Sequence, residues 1–499
     1  MVQMRFVINQ FSSGSPPWTE PIQEANLILV GHIKFVTGLG IVYARLKQRE
    51  LDVQPLARAG LVGVATVAVI AAGIAYLAAG DTARLNEADG VGASPVLPQP
   101  TTNFIPTVHI APAKPWANGA KPIAAKGLAV NAFASGLEHP RWIHVLPNGD
   151  VLVAESNAPP KPDDGKGFKG MVMRLVMKRA GAGVPSANRI TLLRDVDGDG
   201  VADKQSVFIS GLNSPFGMAL VGSALHVANT DAVLRFPYTE GAETLPGAGE
   251  KVADLPAGPI NHHWTKGLLA SPDGQRLYAS IGSNSNVAEN GIEQEKGRAS
   301  IMEIDLATGS TRIFATGLRN PVGLAWNKDS QALWAVVNER DELGSDLVPD
   351  YLTSVKEDGF YGWPYSYYGA HVDGRVSPPK PEMVAKALVP DYALGNHVAP
   401  LGLAFAEAPG LTESFRNGAF VGEHGSWNRK PRSGYKVVFV PFTAGKPEGA
   451  PVDVLTGFVD ADGNAQGRPA GVAIAKDGAL LVADDVGNTI WRVGAGTKR

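Results

Sequence analysis

Three arginines stand at equivalent ends of separate apolar stretches of the chain. They are Arg319, Arg429 and Arg468. Three guanidinium groups drawn into one cavity would repel one another and lose hydration unless they faced an anion, and paired Arg N–H groups suit carboxylates particularly well. The arginines therefore predict a binding site for a carboxylate-bearing ligand. The alternative is that each arginine braces its own loop by donating hydrogen bonds to backbone carbonyl groups.

A histidine pair opens another of these stretches, in the sequence NHHWTKG. His263 is the leading candidate for a general base, because an imidazole with a pKa near neutrality can take a proton from a substrate hydroxyl group. His262 is the alternative member of the pair, and a single histidine is often only structural. Together with the arginines, His263 predicts a site that binds an anion and removes a proton.

Two further groups of residues offer oxygen atoms to a cation. Asn338–Asp341 ends an apolar strand with consecutive polar residues, and carbonyl or carboxylate oxygens there suit a hard cation. The second group is the acidic loop DVDGDGVAD, which ends before Ser206 where a complete EF-hand would have Glu. We predict a structural calcium loop there, with an ordinary acidic turn as the alternative. Its ligands are Asp195, Asp197, Asp199, the carbonyl of Val201, and Asp203.

A repeated phrase indicates the elements that must position these residues. Each copy contains a small turn, an apolar strand, a polar turn and a second apolar strand. Six copies begin at Gly136, Gly211, Asn261, Gly317, His397 and Gly467. The turns PNGD, PDGQ and KDGA are typical of tight hairpins. The repeat predicts an all-β, six-bladed β-propeller, in which the loop that enters each inner strand opens onto the central channel.

The composition excludes several classes of protein. Of the 499 residues, 44% are hydrophobic and 19% are charged, and the net charge is −3. These values exclude a disordered chain and nucleic-acid binding driven by overall charge. Cysteine is absent, which excludes thiol catalysis, Cys-ligated zinc and iron–sulfur clusters.

The N-terminal region predicts a membrane anchor. Residues 59–80 carry no charge and are long enough, as a helix, to cross a bilayer. They are preceded by basic residues, namely Arg45, Lys47, Arg49 and Arg58. We therefore expect a transmembrane helix or signal anchor over 59–80, with 1–58 cytoplasmic and the remaining chain periplasmic. The Pro- and Ala-rich residues 81–127 are predicted to be an extended linker, and residues 128–499 the propeller domain.

The phrases around the candidate residues resemble those of one family. HHWTKGL, GLRNP, EHGSWNR and GRPAGVA…VADDVGNTIWRV are similar to sequences of the soluble glucose dehydrogenase and L-sorbosone dehydrogenase family. The resemblance covers roughly residues 130–493 and looks closest to the membrane-bound sorbosone dehydrogenase branch. It implies a six-bladed propeller that uses pyrroloquinoline quinone (PQQ), a tricarboxylate, together with calcium. By similarity, Arg319 and Asn320 would flank the quinone oxygens, whereas Arg429 and Arg468 would contact the carboxylates or the ring plane.

The resemblance also implies a reaction. His263 would take a proton from the substrate hydroxyl while a hydride passes to the quinone, with Arg319 beside the quinone oxygens. A calcium ion held by the carbonyls of Arg340 and Asp341 would polarise the quinone. The substrate would be a sugar or related aldehyde, and the electrons would pass to a membrane quinone or another acceptor.

The sequence departs from the glucose enzymes at two points. Their loops do not resemble residues 350–397 of this chain, which leaves the sugar open, and Arg429 or Lys430 must replace one of their basic residues. Two other functions stay open. A calcium-dependent lactonase propeller would need several carboxylates deep in the channel, and a non-catalytic binding propeller would need no base.

Overall fold

The computed structural model describes residues 80–102, 107–160, 175–406 and 411–496. The predicted cytoplasmic segment 1–58 and membrane helix 59–80 lie outside the described residues, apart from Gly80. Among the described residues, no helix combines the length and the hydropathy needed to cross a bilayer.

Short apolar strands joined by tight turns form six antiparallel sheets within the described residues, which confirms the predicted propeller. Each sheet is one blade, and its strands follow one another outward from the axis. Blade 1 contains Pro140–Val145, Val151–Glu155, Arg189–Arg194 and Lys204–Ile209. Blade 2 contains Met218–Val221, Ala224–Ala228, Ala232–Pro237 and Glu250–Asp254. Blade 3 contains Leu268–Ala270, Arg276–Ile281, Ser300–Asp305 and Thr311–Thr316.

Blades 4 to 6 follow the same order with additions. Blade 4 contains Asn320–Trp326, Leu333–Asn338, Pro349–Ser354 and Tyr392–Asn396. Blade 5 contains Pro400–Phe405, Gly418–Glu423, Lys436–Thr443 and Val452–Thr456, extended by Ile123–Ala124 and Lys446–Pro447. Blade 6 contains Pro469–Ile474, Leu480–Asp484, Thr489–Ala495 and, as its outer strand, Leu128–Ser135.

The ring is closed by strands from both ends of the domain. Leu128–Ser135 pairs antiparallel with Thr489–Ala495, with Val130 opposite Val493. This pairing completes blade 6 with a strand that precedes blade 1 in sequence, and it leaves no open junction between the first and last blades.

Helices and minor strands are short. A two-stranded hairpin, Ser366–Tyr367 with His371–Val372, lies in the insertion between the third and fourth strands of blade 4. The same insertion contains the helix Pro381–Val384. The 3₁₀ helices are Glu87–Gly90, Ile292–Glu295 and Glu413–Phe415, and residues 175–179 are α-helical.

Glycines allow the inner strands of neighbouring blades to approach closely. A Cβ on Gly267 would lie 2.3 Å from the carbonyl oxygen of Val322, and one on Gly402 would lie 2.5 Å from that of Ala470. Both distances are far inside van der Waals contact, so these positions exclude any larger residue unless the backbone moves. Equivalent glycines in other blades are Gly217, Gly323 and Gly471.

The residue before each of these glycines faces a core shared between blades. In four blades it is apolar, and these residues belong to one buried cluster: Phe216, Val322, Leu401 and Ala470. In blade 3 it is Lys266 and in blade 1, where Trp142 replaces the glycine, it is Arg141. A lysine and an arginine therefore occupy positions that are apolar in the other blades.

The antiparallel order divides the loops between two faces of the propeller. The start of each inner strand and the end of the second strand lie on one face, which we call the upper face. In blade 1 the loop between the third and fourth strands lies on the opposite, lower face. All predicted arginines and His263 therefore share the upper face, whereas the acidic loop of blade 1 is on the lower face.

Residues 81–127 are not a free linker, contrary to the prediction. Asp81 binds Ser345, since its Oδ2 accepts from the Ser345 backbone N–H at 2.7 Å. Farther along, Thr101 donates to the Leu343 carbonyl at 2.9 Å. Backbone polar groups of this Pro-rich segment thus find partners on the propeller loops, which the composition alone did not predict.

Candidate active site

His263 lies in the loop that enters the inner strand of blade 3. Its Nδ1 is 2.8 Å from the Ser283 carbonyl oxygen and 3.0 Å from Ser283 Oγ. Because a carbonyl only accepts, Nδ1 carries the proton and the basic lone pair is on Nε2. The His263 ring is half-buried, whereas His262 is exposed. Of the two histidines, His263 has the oriented imidazole that a general base requires.

A buried hydrogen-bond chain holds the His263 loop. Thr230 Oγ1 donates to the carbonyl of Trp264 at 2.9 Å and accepts from Asn261 Nδ2 at 2.7 Å. Arg298 Nη2 donates to Asn261 Oδ1 at 2.9 Å, while its Nη1 reaches the Gly282 carbonyl at 3.2 Å. This chain fixes the backbone on both sides of His263.

Asn320 and His263 both lie next to Gly282. Gly282 separates the two side chains so closely that a Cβ there would lie 2.2 Å from Asn320 Oδ1 and 2.4 Å from the His263 Cβ. Asn320 Oδ1 is buried and has no hydrogen-bond partner. A buried acceptor without a donor is costly, so this oxygen is suited to a ligand that donates a hydrogen bond.

Arg319 is buried beside Asn320 and is held by blades 3 and 4. Its Nη1 donates to the Glu339 carbonyl at 2.5 Å, and its Nη2 donates to Asn286 Oδ1 at 2.9 Å and to Asp341 Oδ2 at 3.2 Å. Asn286 therefore links Arg319 to the end of the second strand of blade 4. The guanidinium is fixed at the channel, with an ionic partner already in place.

The Arg340 and Asp341 carbonyls were predicted to hold a calcium ion, and the Asp341 oxygen does not fit one. It accepts from Asn286 Nδ2 at 3.2 Å and from Arg375 Nη1 at 2.9 Å, which uses both lone pairs and places a cation beside it. The Arg340 side chain is fully buried and donates to the carbonyls of Pro364 and Ser366. We therefore assign no catalytic step to calcium at this position.

Arg429 donates hydrogen bonds to backbone carbonyl groups, which is the alternative role considered above for the three arginines. Its Nε donates to the Ser345 carbonyl at 3.0 Å, and its Nη1 donates to the Pro431 carbonyl at 3.0 Å. These bonds brace the loop after the second strand of blade 5. These two bonds fix the Arg429 guanidinium, and the cofactor-binding role of Arg429 stays a prediction.

Arg468 begins the inner strand of blade 6 and is only partly satisfied. Its backbone N–H donates to Asp484 Oδ1 at 2.8 Å, its Nη2 lies 3.2 Å from the Tyr435 hydroxyl, and the guanidinium is 5.0 Å from the Tyr435 ring centroid. Its Nε is buried without a hydrogen-bond partner. Arg468 is thus available to an acceptor on a ligand.

Sequence reasoning missed a charged group that lies between blades 1, 5 and 6. Asp485 Oδ2 accepts from His424 Nε2 at 2.8 Å and from Arg141 Nη1, and the Asp485 carbonyl lies 3.0 Å from His139 Nδ1. Burial lowers the pKa of His424 to about 4, so its ring is neutral. Arg141 also lies 6.0 Å from the Trp264 ring centroid, next to His263. The signal was present, since Arg141 is a charged residue at an otherwise mostly apolar position of the repeat.

Several buried polar atoms without hydrogen-bond partners lie around this site on the upper face. Among the described residues they include Arg141 Nε, Asn320 Oδ1, Asn428 Oδ1, Arg468 Nε and Asp485 Oδ1. They come from blades 1, 4, 5 and 6. A ligand with several carbonyl, carboxylate and N–H groups would satisfy such a mixture of donors and acceptors, and PQQ has that chemistry.

The acidic loop brings together three of its four predicted carboxylates. One oxygen each from Asp195, Asp197 and Asp203 lie within 4.8 Å of one another, and no other described His, Asp or Glu residues form such a group of three or more. Asp199 is not part of the group; its Oδ1 accepts from the Val201 N–H at 2.8 Å. The loop is on the lower face, away from His263.

The chain belongs to the TrAA12-like family, whose model matches residues 175–357 and 383–495. The chain is 31% identical over 241 residues to an uncharacterized protein of Borreliella burgdorferi, covering 48% of this chain and 62% of that one. It is 23% identical over 360 residues to a pyrroloquinoline quinone-dependent pyranose dehydrogenase of Coprinopsis cinerea, covering 64% of this chain and 44% of the relative.

The fold is also that of a solved quinoprotein domain. The holo PQQ domain of the Coprinopsis cinerea pyranose dehydrogenase superposes with a TM-score of 0.59 at 21% identity, over 75% of this chain and 97% of that domain. The chain spans less than two thirds of the length of the two sequence relatives above. The superposition on the PQQ domain establishes the propeller fold of this chain.

Proposed function

We propose that this protein is a PQQ-dependent dehydrogenase that oxidises an aldose or sorbosone-type sugar to the lactone or acid. One observation carries the proposal: His263, whose imidazole is oriented by Ser283, and the buried, unpartnered amide oxygen of Asn320 meet across Gly282. Membership of the TrAA12-like family and the similarity to a pyranose dehydrogenase support it.

The residues that would hold the cofactor come from several blades. Asn320 and Arg319 would face the quinone oxygens, and Arg468 would donate to a carboxylate through its unpartnered Nε. Arg141 and His424 would lie on the opposite side, where Asp485 holds both side chains. PQQ, when bound, supplies the two-electron acceptor for the reaction.

His263 would move the proton. Its Nδ1–H donates to the Ser283 carbonyl, which directs the basic Nε2 away from blade 3 and keeps one tautomer. Nε2 would accept the proton of the sugar hydroxyl as the hydrogen on the same carbon leaves with its electron pair. The hydrogen-bond chain through Thr230 and Arg298 keeps the ring in place during that transfer.

Reconstitution tests this proposal directly. The full chain is incubated with PQQ, and dye reduction is measured with a panel of aldoses, sorbosone, alcohols and aldehydes, alongside calorimetric titration with PQQ. We expect binding and sugar-dependent dye reduction. Absence of both PQQ binding and turnover would remove the dehydrogenase proposal and leave the binding propeller.

A lactonase has less support than a dehydrogenase. It would need a catalytic metal held by several carboxylates in the channel, yet the described group of three carboxylates lies on the lower face. The upper face instead offers guanidinium, imidazole and amide groups.

We also propose that the acidic loop binds a structural calcium ion through Asp195, Asp197 and Asp203. The support is the clustering of three carboxylate oxygens, which calcium prefers, in a loop with Gly198 and Gly200 at positive φ. The Val201 carbonyl remains a predicted ligand. This ion would stabilise blade 1 and take no part in the reaction.

The cellular setting of the enzyme is a further proposal. The uncharged residues 59–80, preceded by basic residues, support a membrane anchor with the propeller on the periplasmic side. A membrane quinone or another respiratory acceptor would then take the electrons. Fractionation of cells into membrane and soluble fractions, with protease treatment of intact spheroplasts, tests this arrangement.

A further inference from the structure

The segment 107–117, which precedes the propeller, crosses the upper face beside the candidate site. Its backbone is bonded to loops of blades 5 and 6 and to the connection within blade 1. The bonds run from the His109 N–H to the Trp427 carbonyl at 2.7 Å, from the Ala113 N–H to the Arg179 carbonyl at 2.8 Å, and from the Lys114 N–H to the Ala465 carbonyl at 2.8 Å. Arg468 Nη2 also lies 3.5 Å from the Ala111 carbonyl oxygen.

One side chain of this segment reaches a buried carboxylate. Trp116 Nε1 donates to Asp484 Oδ2 at 2.8 Å, and Trp491 Nε1 donates to the same oxygen at 3.0 Å. The backbone N–H groups of Arg468 and Gly487 both donate to Asp484 Oδ1 at 2.8 Å. Asp484 is fully buried, so these four donors replace its hydration.

The surroundings of Asp484 are tightly packed. A Cβ on Gly487 would lie 2.2 Å from Asp484 Oδ2 and 2.6 Å from Trp116 Nε1. The Trp116 ring also packs edge-on against Trp491 and Phe458, with centroids 5.6 and 5.7 Å away. Trp116 therefore has one position, and through Asp484 it is tied to the backbone of Arg468.

We propose that the segment 107–117 is a wall of the active site and that Trp116 is a positioning residue, which fixes Arg468 for the cofactor through Asp484. The inference rests on the proposed function, because Arg468 is there assigned to a PQQ carboxylate. Loss of one indole N–H leaves the buried carboxylate short of a donor, and Asp484 can then shift away from the Arg468 N–H. The propeller blades alone would thus form an incomplete cofactor site.

The test uses the full chain with three substitutions. Trp116→Phe keeps an aromatic ring and removes the N–H, and Trp491→Phe removes the second indole donor. Lys251→Ala is a control on the outer strand of blade 2, where the exposed ammonium pairs with Asp254. Calorimetric titration gives the PQQ dissociation constant, and steady-state kinetics at saturating PQQ give the sugar KM. Thermal unfolding is followed in parallel.

We expect Trp116→Phe and Trp491→Phe to raise the PQQ dissociation constant at least about threefold while the sugar KM changes less than about twofold, and Lys251→Ala to leave both unchanged. If the wild-type protein binds no PQQ, the proposed function is wrong and this inference falls with it. Wild-type protein that binds PQQ while Trp116→Phe binds it equally well overturns the inference alone, even if the melting temperature falls. If Trp116→Phe does not fold, an unchanged dissociation constant in Trp491→Phe overturns it.

Discussion

His424 Nε2 lies 2.8 Å from Asp485 Oδ2, and this carboxylate oxygen also accepts from Arg141. One buried acid thereby orients an imidazole from blade 5 and a guanidinium from blade 1. Burial would raise the pKa of Asp485, but the hydrogen bond from His424 and the charge of Arg141 hold it well below its usual range, so the acid is ionised at neutral pH. The relationship joins distant parts of the chain at the candidate cofactor site.

Asp485→Asn should destabilise the protein and weaken cofactor binding. The amide keeps the shape but removes the charge, which leaves the nearly buried Arg141 guanidinium uncompensated. We expect a loss of about 3 kcal/mol in the free energy of unfolding, measured by chemical denaturation. Asp477→Asn is the control, because its exposed ion pair with Arg492 should contribute less than about 1 kcal/mol. Equal losses in the two variants would contradict the role of Asp485.

His263→Gln should lower kcat about 100-fold or more, since it removes the group that accepts the substrate proton. PQQ binding, measured by calorimetry, should persist. His262→Gln tests the alternative base and should retain activity because His262 is exposed. A large loss of kcat in His262→Gln with little loss in His263→Gln would reverse the assignment of the base.

Glu423→Gln should change how stability depends on pH. Burial raises the pKa of Glu423 to about 8, compared with 4.5 in the unfolded chain. Between these values the folded protein holds a proton that the unfolded chain releases, so the wild type loses stability as the pH rises, by up to about 1.4 kcal/mol per pH unit. Glutamine does not titrate, and Tm of the variant relative to wild type should increase from pH 5 to pH 8. Parallel Tm curves over that window would contradict a protonated Glu423.

Asp197→Asn should abolish calcium binding to the acidic loop, whereas Asp199→Asn should preserve most of it. Asp197 contributes an oxygen to the carboxylate group, and Asp199 does not. Terbium luminescence and the calcium-induced rise in Tm measure the two variants, since a ligand that binds only the folded state raises Tm. If the wild-type protein shows neither terbium luminescence nor a calcium-induced rise in Tm, the proposed calcium loop is wrong.

Gly402→Ala should destabilise the ring of inner strands by about 1–3 kcal/mol. The added Cβ would lie 2.5 Å from the Ala470 carbonyl oxygen, and only movement of one backbone can relieve that contact. Gly374→Ala is a matched control, because nothing lies within 4 Å of a Cβ there. Thermal unfolding compares the two variants. Similar Tm values would show that the inner strands of blades 5 and 6 can move apart without loss of stability.

The propeller itself could be predicted because its signal is local and repeated. Alternation of apolar strands with Gly-containing turns recurs in the sequence, and each copy became the inner pair of strands of one blade. The site was harder to predict, because Asn320 and His263 meet across Gly282 only after two blades pack. Nothing within the phrase at Gly317 indicates that the Asn320 amide would meet His263 of blade 3 across a glycine.

The sequence could not indicate the hydrogen-bond partners of several predicted site residues. Arg429 Nε and Nη1 donate to the carbonyls of Ser345 and Pro431, and the cofactor-binding role of Arg429 stays a prediction. Asp199 Oδ1 accepts from the Val201 N–H and lies outside the carboxylate group, and its role as a calcium ligand stays a prediction. The Pro-rich segment was expected to remain unpacked, although proline removes only donors and its carbonyl and side-chain groups can still bind neighbouring loops. Residue type restricts the possible partners, but only the tertiary structure selects one.

The pairing of Leu128–Ser135 with Thr489–Ala495 has a consequence for biosynthesis. The first of these strands leaves the ribosome before any complete blade, whereas its partner follows all the other strands of the propeller. Until that partner has emerged, the early strand has an exposed edge and the ring of blades stays open. A nascent chain that stalls before this point would therefore present two unpaired strand edges, which are sites of aggregation.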